Sequence, residues 1–288
     1  MTSTRRRRRT PATRIRRALF YLLLLAIAVF LLFPVYWAGK TAVSPDQEIY
    51  ATPAAYVPHD FTLQHFDNAL SDSRFLRSIV NSLIVGGSVT AISILLGAFA
   101  AYALGRFDFR GRGAMRYIIL AMSIFPQIAI LGSLYKLLTA TQLYNTLFAL
   151  IGTYLIFILP FTVWTLASFF QQLPKELEEA AYIDGASSMQ TFWRVMMPLA
   201  APGLAATSIL AVIAAWNEYL FALSFESDSS NWTVPVMISN VGAQSSAYTI
   251  PWGDQMAASL VVMIPVIALV LVLQRRIVAG LTGGSVKG

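Results

Sequence analysis

The chain has 288 residues, of which 57% are hydrophobic and only 12% charged, and it carries a formal net charge of +7. That balance excludes an ordinary soluble domain and marks an integral membrane protein. The absence of cysteine removes disulfide frameworks, thiolate nucleophiles and cysteine-based metal centres. The two histidines, His59 and His65, lie off same-face helical spacing and read as ordinary solvated side chains, with no metal site.

Residues 1–17 hold eight arginines, including the run Arg5 to Arg9, and an apolar stretch over 18–37 follows, long enough to cross a bilayer. Nucleic-acid binding is one reading of the run, but the positive-inside rule explains it more simply as a cytoplasmic anchor. A cleaved signal peptide fits poorly, because the apolar region is long and no small-residue cleavage site follows it. From Gly39 to Arg77 the acids Asp46, Glu48, Asp60, Asp67 and Asp72 stand against Lys40, Arg74 and Arg77, so the segment lacks the Lys/Arg excess of a cytoplasmic loop and is placed outside. Within it Leu63, Phe66 and Leu70 share one helical face and Thr62 is a candidate cap, so a short helix along the membrane surface is expected.

The second span, 78–104, is rich in small residues such as Gly86, Gly87, Gly97 and Ala101, a composition suited to close packing among other spans. Arg106, Arg110, Arg112 and Arg116 then mark a cytoplasmic loop. The third span, 114–134, carries Pro126-Gln127 near its middle. A kink facing a polar interior and a kink made only for packing are both open readings. The fourth span covers 147–170.

A polar island at 171–202 separates spans four and five. Pro174 suits a first helical position, Glu176, Glu178 and Glu179 suit the positive first turns, and Gly185 stands where a chain leaving a helix needs a positive φ. Ser187 followed by Gln190 is a capping-box pattern for a second helix with Phe192, Val195 and Met196 on one face, ended by Pro198. A surface hairpin that merely links two spans fits these local signals as well as a functional one does.

The fifth span, 203–223, contains Trp216-Asn217-Glu218-Tyr219 towards its outer end. An acid within a span is a functional candidate by default; a Glu218 near the interface, or one that joins helices together with Asn217, is the alternative. The outer loop, 225–253, is long and holds Trp232, Tyr248 and Trp252, which makes it a candidate docking surface. The sixth span covers 254–273, and the tail, 274–288, opens with Gln274-Arg275-Arg276. The expected fold is an all-α membrane protein with six transmembrane helices over 18–273 and both termini in the cytoplasm.

Catalytic signals are missing. Gly39-Lys40-Thr41 ends like a phosphate-binding loop, but Pro34 stands where that pattern requires glycine, so the chain is not expected to hydrolyse ATP. No paired carboxylates are placed for acid–base work.

From Glu179 to Leu204 the string EAAYIDGASSMQTFWRVMMPLAAPGL resembles the EAA loop of permease subunits in ATP-binding-cassette importers, with Glu179, Ala180, Ala181, Asp184, Gly185 and Pro198 at matching positions. The resemblance extends to MalG-like permeases of carbohydrate importers through Asn81-Ser82, Leu96-Gly97-Ala98, Arg106-Phe107, Leu159-Pro160-Phe161, Trp216-Asn217-Glu218 and the C-terminal QRRIVAGLTGGSVKG. Ser133, where many relatives have proline, and the N-terminal arginine run depart from the pattern. The resemblance implies a type I importer permease fold in the inner membrane, with Glu179 to Ala186 forming a cytoplasmic coupling helix. The tail, with Gly283, Gly284 and Ser285, would extend flexibly towards the ATPase dimer. A second homologous permease, two ATP-binding subunits and an extracytoplasmic sugar-binding protein would be partners besides membrane lipid. ATP and Mg would bind the ATPase, and this chain would hold no cofactor. On the same reading Gln127, Trp216, Asn217, Glu218 and Tyr219 line or brace a solute path, and Trp232, Tyr248 and Trp252 meet the binding protein. A permease for glycerol phosphate or polyamine is the alternative within this class. A proton-coupled secondary transporter is the alternative outside it, with Glu218 as its one clear relay candidate.

Overall fold

The computed structural model describes residues 11–241 and 250–284, with side chains over 15–241 and 250–275. Among these residues every regular element is helical. The first span is α1 (Pro11–Ala42), followed by two short helices, α2 (Asp46–Ile49) and α3 (Gln64–Ser71). Next comes α4 (Ser73–Arg106), which starts where Asp72 accepts the Arg74 N–H at 2.8 Å and runs beyond both ends of the predicted second span. Then α5 (Arg112–Ile124), a 3-10 turn (Gln127–Ile130) and α6 (Leu131–Ala140) lead to α7 (Leu147–Gln172). The hairpin holds α8 (Glu176–Ile183) and α9 (Ser188–Thr191), a π-helical turn (Phe192–Met196) and α10 (Met197–Leu199). The chain continues as α11 (Ala201–Trp216), α12 (Leu220–Phe225), α13 (Val234–Asn240) and α14 (Trp252–Gly284).

Four of these helices, α1, α4, α7 and the 252–275 stretch of α14, are long and apolar enough to cross a membrane. The other two spans are bent. The third was expected as one kinked helix over 114–134, but α5 and the 127–140 segment meet at 88°. The cause is local. Pro126 offers no N–H and forces Phe125 into an extended conformation, φ −63° and ψ 134°, which ends the helix instead of bending it. The fifth begins with a bend of 74° between the 188–199 segment and α11, next to Pro198 and Pro202. It was also expected to run unbroken to 223, yet α11 stops at Trp216 and a separate α12 follows. Counting each bent pair as one span gives the expected six.

The described residues fall into two compact units, one holding 11–69 with 250–260 and the other 70–241 with 261–284. In the first unit Thr62 caps α3 as expected, accepting the Gln64 N–H at 3.1 Å, while Leu63 is exposed and Phe66 half-buried. The solvated reading of His65 was wrong. It is 6% exposed, with Nδ1 2.7 Å from Asp254 Oδ1 and Nε2 3.0 Å from the Ser44 carbonyl. Its ring lies on Gly253, where an added Cβ would come within 2.3 Å. The buried face of α3 is the one that carries His65 and Ala69, four residues apart, and the apolar pattern of Leu63, Phe66 and Leu70 did not point to it.

The second unit is built on α4 and α7. In lipid, spans associate through close packing and not by escape from water, so small residues decide how near two helices come. At Gly97 an added Cβ would sit 2.7 Å from Thr162 Cγ2 of α7. Towards the outer end Val85 and Val89 of α4 pack with Leu150 and Tyr154 of α7 and with Phe221 and Phe225 of α12. Towards the other end Tyr102, Leu166 and Phe170 pack with Phe192 and Met196 of the hairpin.

Candidate functional site: the cytoplasmic hairpin and the outer helix break

The hairpin forms where its local signals place it, except that α8 starts at Glu176 with Lys175 as its N-cap, so Pro174 precedes the helix and does not open it. Glu176, Glu178 and Glu179 occupy the first turn of α8, where the unpaired N–H groups favour negative charge. Gly185 takes φ +83° while its N–H donates to Tyr182 O at 3.0 Å. A side chain at that φ strains the backbone, so glycine stops the helix without penalty. The capping box is complete: Ser187 Oγ accepts the Gln190 N–H at 3.3 Å, and Gln190 Oε1 accepts the Ser187 N–H at 2.9 Å. The second arm continues past Pro198 to Leu199, one residue beyond the expected stop. Phe192 stacks on Phe99 of α4 with ring centroids 4.7 Å apart, and Trp193 meets the same ring edge-on at 5.5 Å.

Burial divides the expected coupling residues. Glu179, Ala180, Asp184 and Gly185 are exposed and Ala186 is half-buried, whereas Ala181 is buried against this chain. Beside them Ile183 is 86% exposed, a large apolar side chain at a polar turn. Sequence reading missed two residues that hold this site. Arg106 and Glu178 form an ion pair at 2.9 Å with both side chains almost wholly enclosed.

At the other end of the second unit the break between α11 and α12 brings Trp216 and Asn217 to a cavity of about 320 Å³. Pro235 and Ile238 of α13 and Met263 and Val266 of α14 complete much of its mainly apolar wall. The Asn217 amide donates to Ile213 O at 2.8 Å. Glu218 is half-buried and caps α12, its two carboxylate oxygens accepting the Phe221 and Ala222 N–H groups at 2.9 and 3.2 Å. Tyr219 is exposed, with its hydroxyl 3.4 Å from Ser239 Oγ. Gln127 is exposed on the 3-10 turn and stands apart from this cavity's wall.

Just beyond the break, the start of the outer loop is tied to the turn between α6 and α7. Asn145, at φ +60°, donates its N–H to Phe225 O at 3.0 Å, accepts the Asp228 N–H on its side chain at 3.0 Å, and accepts from Asn231 Nδ2 at 2.7 Å. Asn81 of α4 donates to the carbonyls of Ser230 and Trp232 at 2.9 and 3.0 Å. The Ser230 N–H holds the Asp228 carboxyl below the ordinary range. Glu226, outside the spans, is the reverse case. It is 3% exposed, neither carboxyl oxygen has a hydrogen-bond partner among the described residues, and burial pushes its pKa up to about 8. Trp232 is half-buried, with its ring packed against the core and its N–H donating to Glu226 O at 3.1 Å. Trp252 is 41% exposed, and Tyr248 lies outside the described residues. The helix α14 runs through Gly283 and Gly284, so the tail is not a loose linker at those residues, and Ser285 lies outside the described residues.

Up to six apolar spans, and within the second unit a capped helical hairpin beside Arg106, describe a multi-pass membrane protein. Comparison with known proteins makes this specific. The family described as "Binding-protein-dependent transport system inner membrane component" matches residues 93–283, and the chain belongs to it. It is 38% identical to the trehalose/maltose transport system permease protein MalG of Thermococcus litoralis over 276 residues, covering 95% of this chain and 98% of the relative. Similarity to the trehalose transport system permease protein SugB of Mycobacterium tuberculosis is also 38%, over 95% of this chain and 99% of that one. The diacetylchitobiose uptake system permease protein DasC of Streptomyces coelicolor is 36% identical over 91% and 95%. The fold matches a crystal structure of a bacterial ABC transporter that imports alginate, with a TM-score of 0.77 and 22% identity over 93% of this chain and 98% of the other.

Proposed function

We propose that this chain is the permease subunit of an ATP-driven importer for a glycoside, forming one half of the solute path. The observation that carries the reading is the hairpin: Gly185 and the capping box present Glu179, Ala180, Asp184 and Ile183 as an exposed face of the second unit, beside Arg106 at the end of α4. Such a face suits a cleft in a separate ATPase dimer. ATP and Mg would bind those subunits, and this chain would perform no chemistry itself. Closure of the ATPases would carry the hairpin with it and turn the spans from inward-facing to outward-facing, a two-state element biased by nucleotide. Trp216 and Asn217 would face the path, and Glu218 would brace it by holding α12 in place. Gln127 would reach the path only where a second permease completes it. The outer loop would receive the binding protein, with Trp252 as a contact and Trp232 shaping the loop from within.

The choice of a glycoside rests on relatives named for trehalose, maltose and diacetylchitobiose. The test is uptake into proteoliposomes holding the complex purified with this chain, loaded with ATP and supplied with its binding protein. Trehalose, maltose, diacetylchitobiose, glycerol phosphate and a polyamine are offered in turn. ATP-dependent uptake of one of the three sugars is expected. Uptake driven by a proton gradient without ATP would contradict the reading.

A further inference from the structure

We propose that Arg106 is a positioning residue for coupling: it ties the first arm of the hairpin to two spans, so that a push on α8 becomes a movement of α4 and α7. The inference rests on the importer reading above. Arg106 is the last residue of α4, and its side chain is 3% exposed. Nε donates to Glu178 Oε1 at 2.9 Å, Nη1 to the carbonyls of Leu173 and Phe170 at 2.8 and 3.3 Å, and Nη2 to Pro174 O at 3.1 Å. One guanidinium thus joins the end of α4, the last turn of α7 with the link that follows it, and α8.

Three features make this contact a directional one. A guanidinium keeps its charge, so once buried it requires all of these acceptors, and its flat fork meets them in one orientation only. The end of α4 is itself fixed, because Arg112 donates to Leu104 O at 2.8 Å and to Gly105 O at 2.9 Å. Finally, Glu178 and the buried Ala181 lie three residues apart on one face of α8, so the pair sets how α8 is rotated and therefore where Glu179, Ala180 and Asp184 point. The second arm is held by apolar packing, with Phe192 stacked on Phe99 and Trp193 edge-on to the same ring, and not by a charged fork. A helix as short as α8 has little stability alone and takes its orientation from such contacts.

The experiment compares wild type, Arg106→Lys and Glu178→Gln in the reconstituted complex, measuring solute imported per ATP hydrolysed and ATPase recovered with the tagged chain. Lysine keeps the charge but loses the fork. Glutamine keeps the shape and leaves the carbonyl contacts of Arg106 in place, so it serves where the lysine variant folds poorly. The expected result is a fall of about tenfold or more in solute per ATP, with the ATPase still co-purifying, in at least one variant. An unchanged ratio in both overturns the proposal, and so does a loss confined to the yield of complex. A wild type that imports without ATP overturns the importer reading, and the proposal with it. A wild type driven by ATP with variants that match it overturns the proposal alone.

Discussion

Replacing Glu226 by glutamine should stabilise the protein, and the gain should grow with pH. The carboxyl is 3% exposed, lacks a hydrogen-bond partner among the described residues, and has its pKa raised from the ordinary 4.5 to about 8 by burial. The folded state therefore holds this proton more tightly than the unfolded state does. The resulting stability is present in full below about pH 4.5, declines as the pH rises, and is lost beyond about 8. At about 1.4 kcal/mol per pH unit, the whole window amounts to roughly 5 kcal/mol, and roughly 3 kcal/mol is already gone at pH 7. Glu226→Gln removes the titration at nearly constant volume. The assay is denaturant or thermal unfolding of the detergent-purified complex between pH 5 and 9, with wild type and variant read as a difference. Curves that run parallel across the window would refute the account of a buried, unpaired carboxyl.

Two further substitutions test the packing. Gly97→Ala places a Cβ 2.7 Å from Thr162 Cγ2, which belongs to a fully buried β-branched side chain, so a loss of about 1–3 kcal/mol is expected in the same unfolding assay. Glu218→Ala leaves the Phe221 and Ala222 N–H groups without their acceptor, with an expected cost of about 1–2 kcal/mol and a fall in transport per molecule of complex. Unchanged transport at normal protein levels would remove Glu218 from the path.

What was readable in the sequence was local or periodic. Hydropathy located the six apolar stretches, Gly185 and the Ser187–Gln190 box set the hairpin, and Gly97 marked a close approach. Pro126 was noticed, but a proline alone does not distinguish a kink from a break of 88°; the neighbouring geometry decides. The same limit applied at Asn217 to Tyr219, where apolar residues on both sides hid the end of α11. Contacts between distant residues left no periodic trace. Arg106 looked like one more inside-loop arginine, yet its partner Glu178 lies 72 residues away, and the acceptors of His65 include Asp254, 189 residues away. Nothing near Glu226 in sequence tells of its burial.

The claim on which the account turns is that α8 and its turn are where a separate ATPase is held. The most direct measurement is gentle detergent purification of the tagged native chain and of Gly185→Pro, followed by identification of what each recovers. Proline cannot adopt φ +83°, and it removes the N–H donated to Tyr182 O, so the turn is destroyed while the spans remain intact. The account expects a second permease with both forms and an ATPase with the native chain alone. An ATPase recovered equally with Gly185→Pro would contradict it.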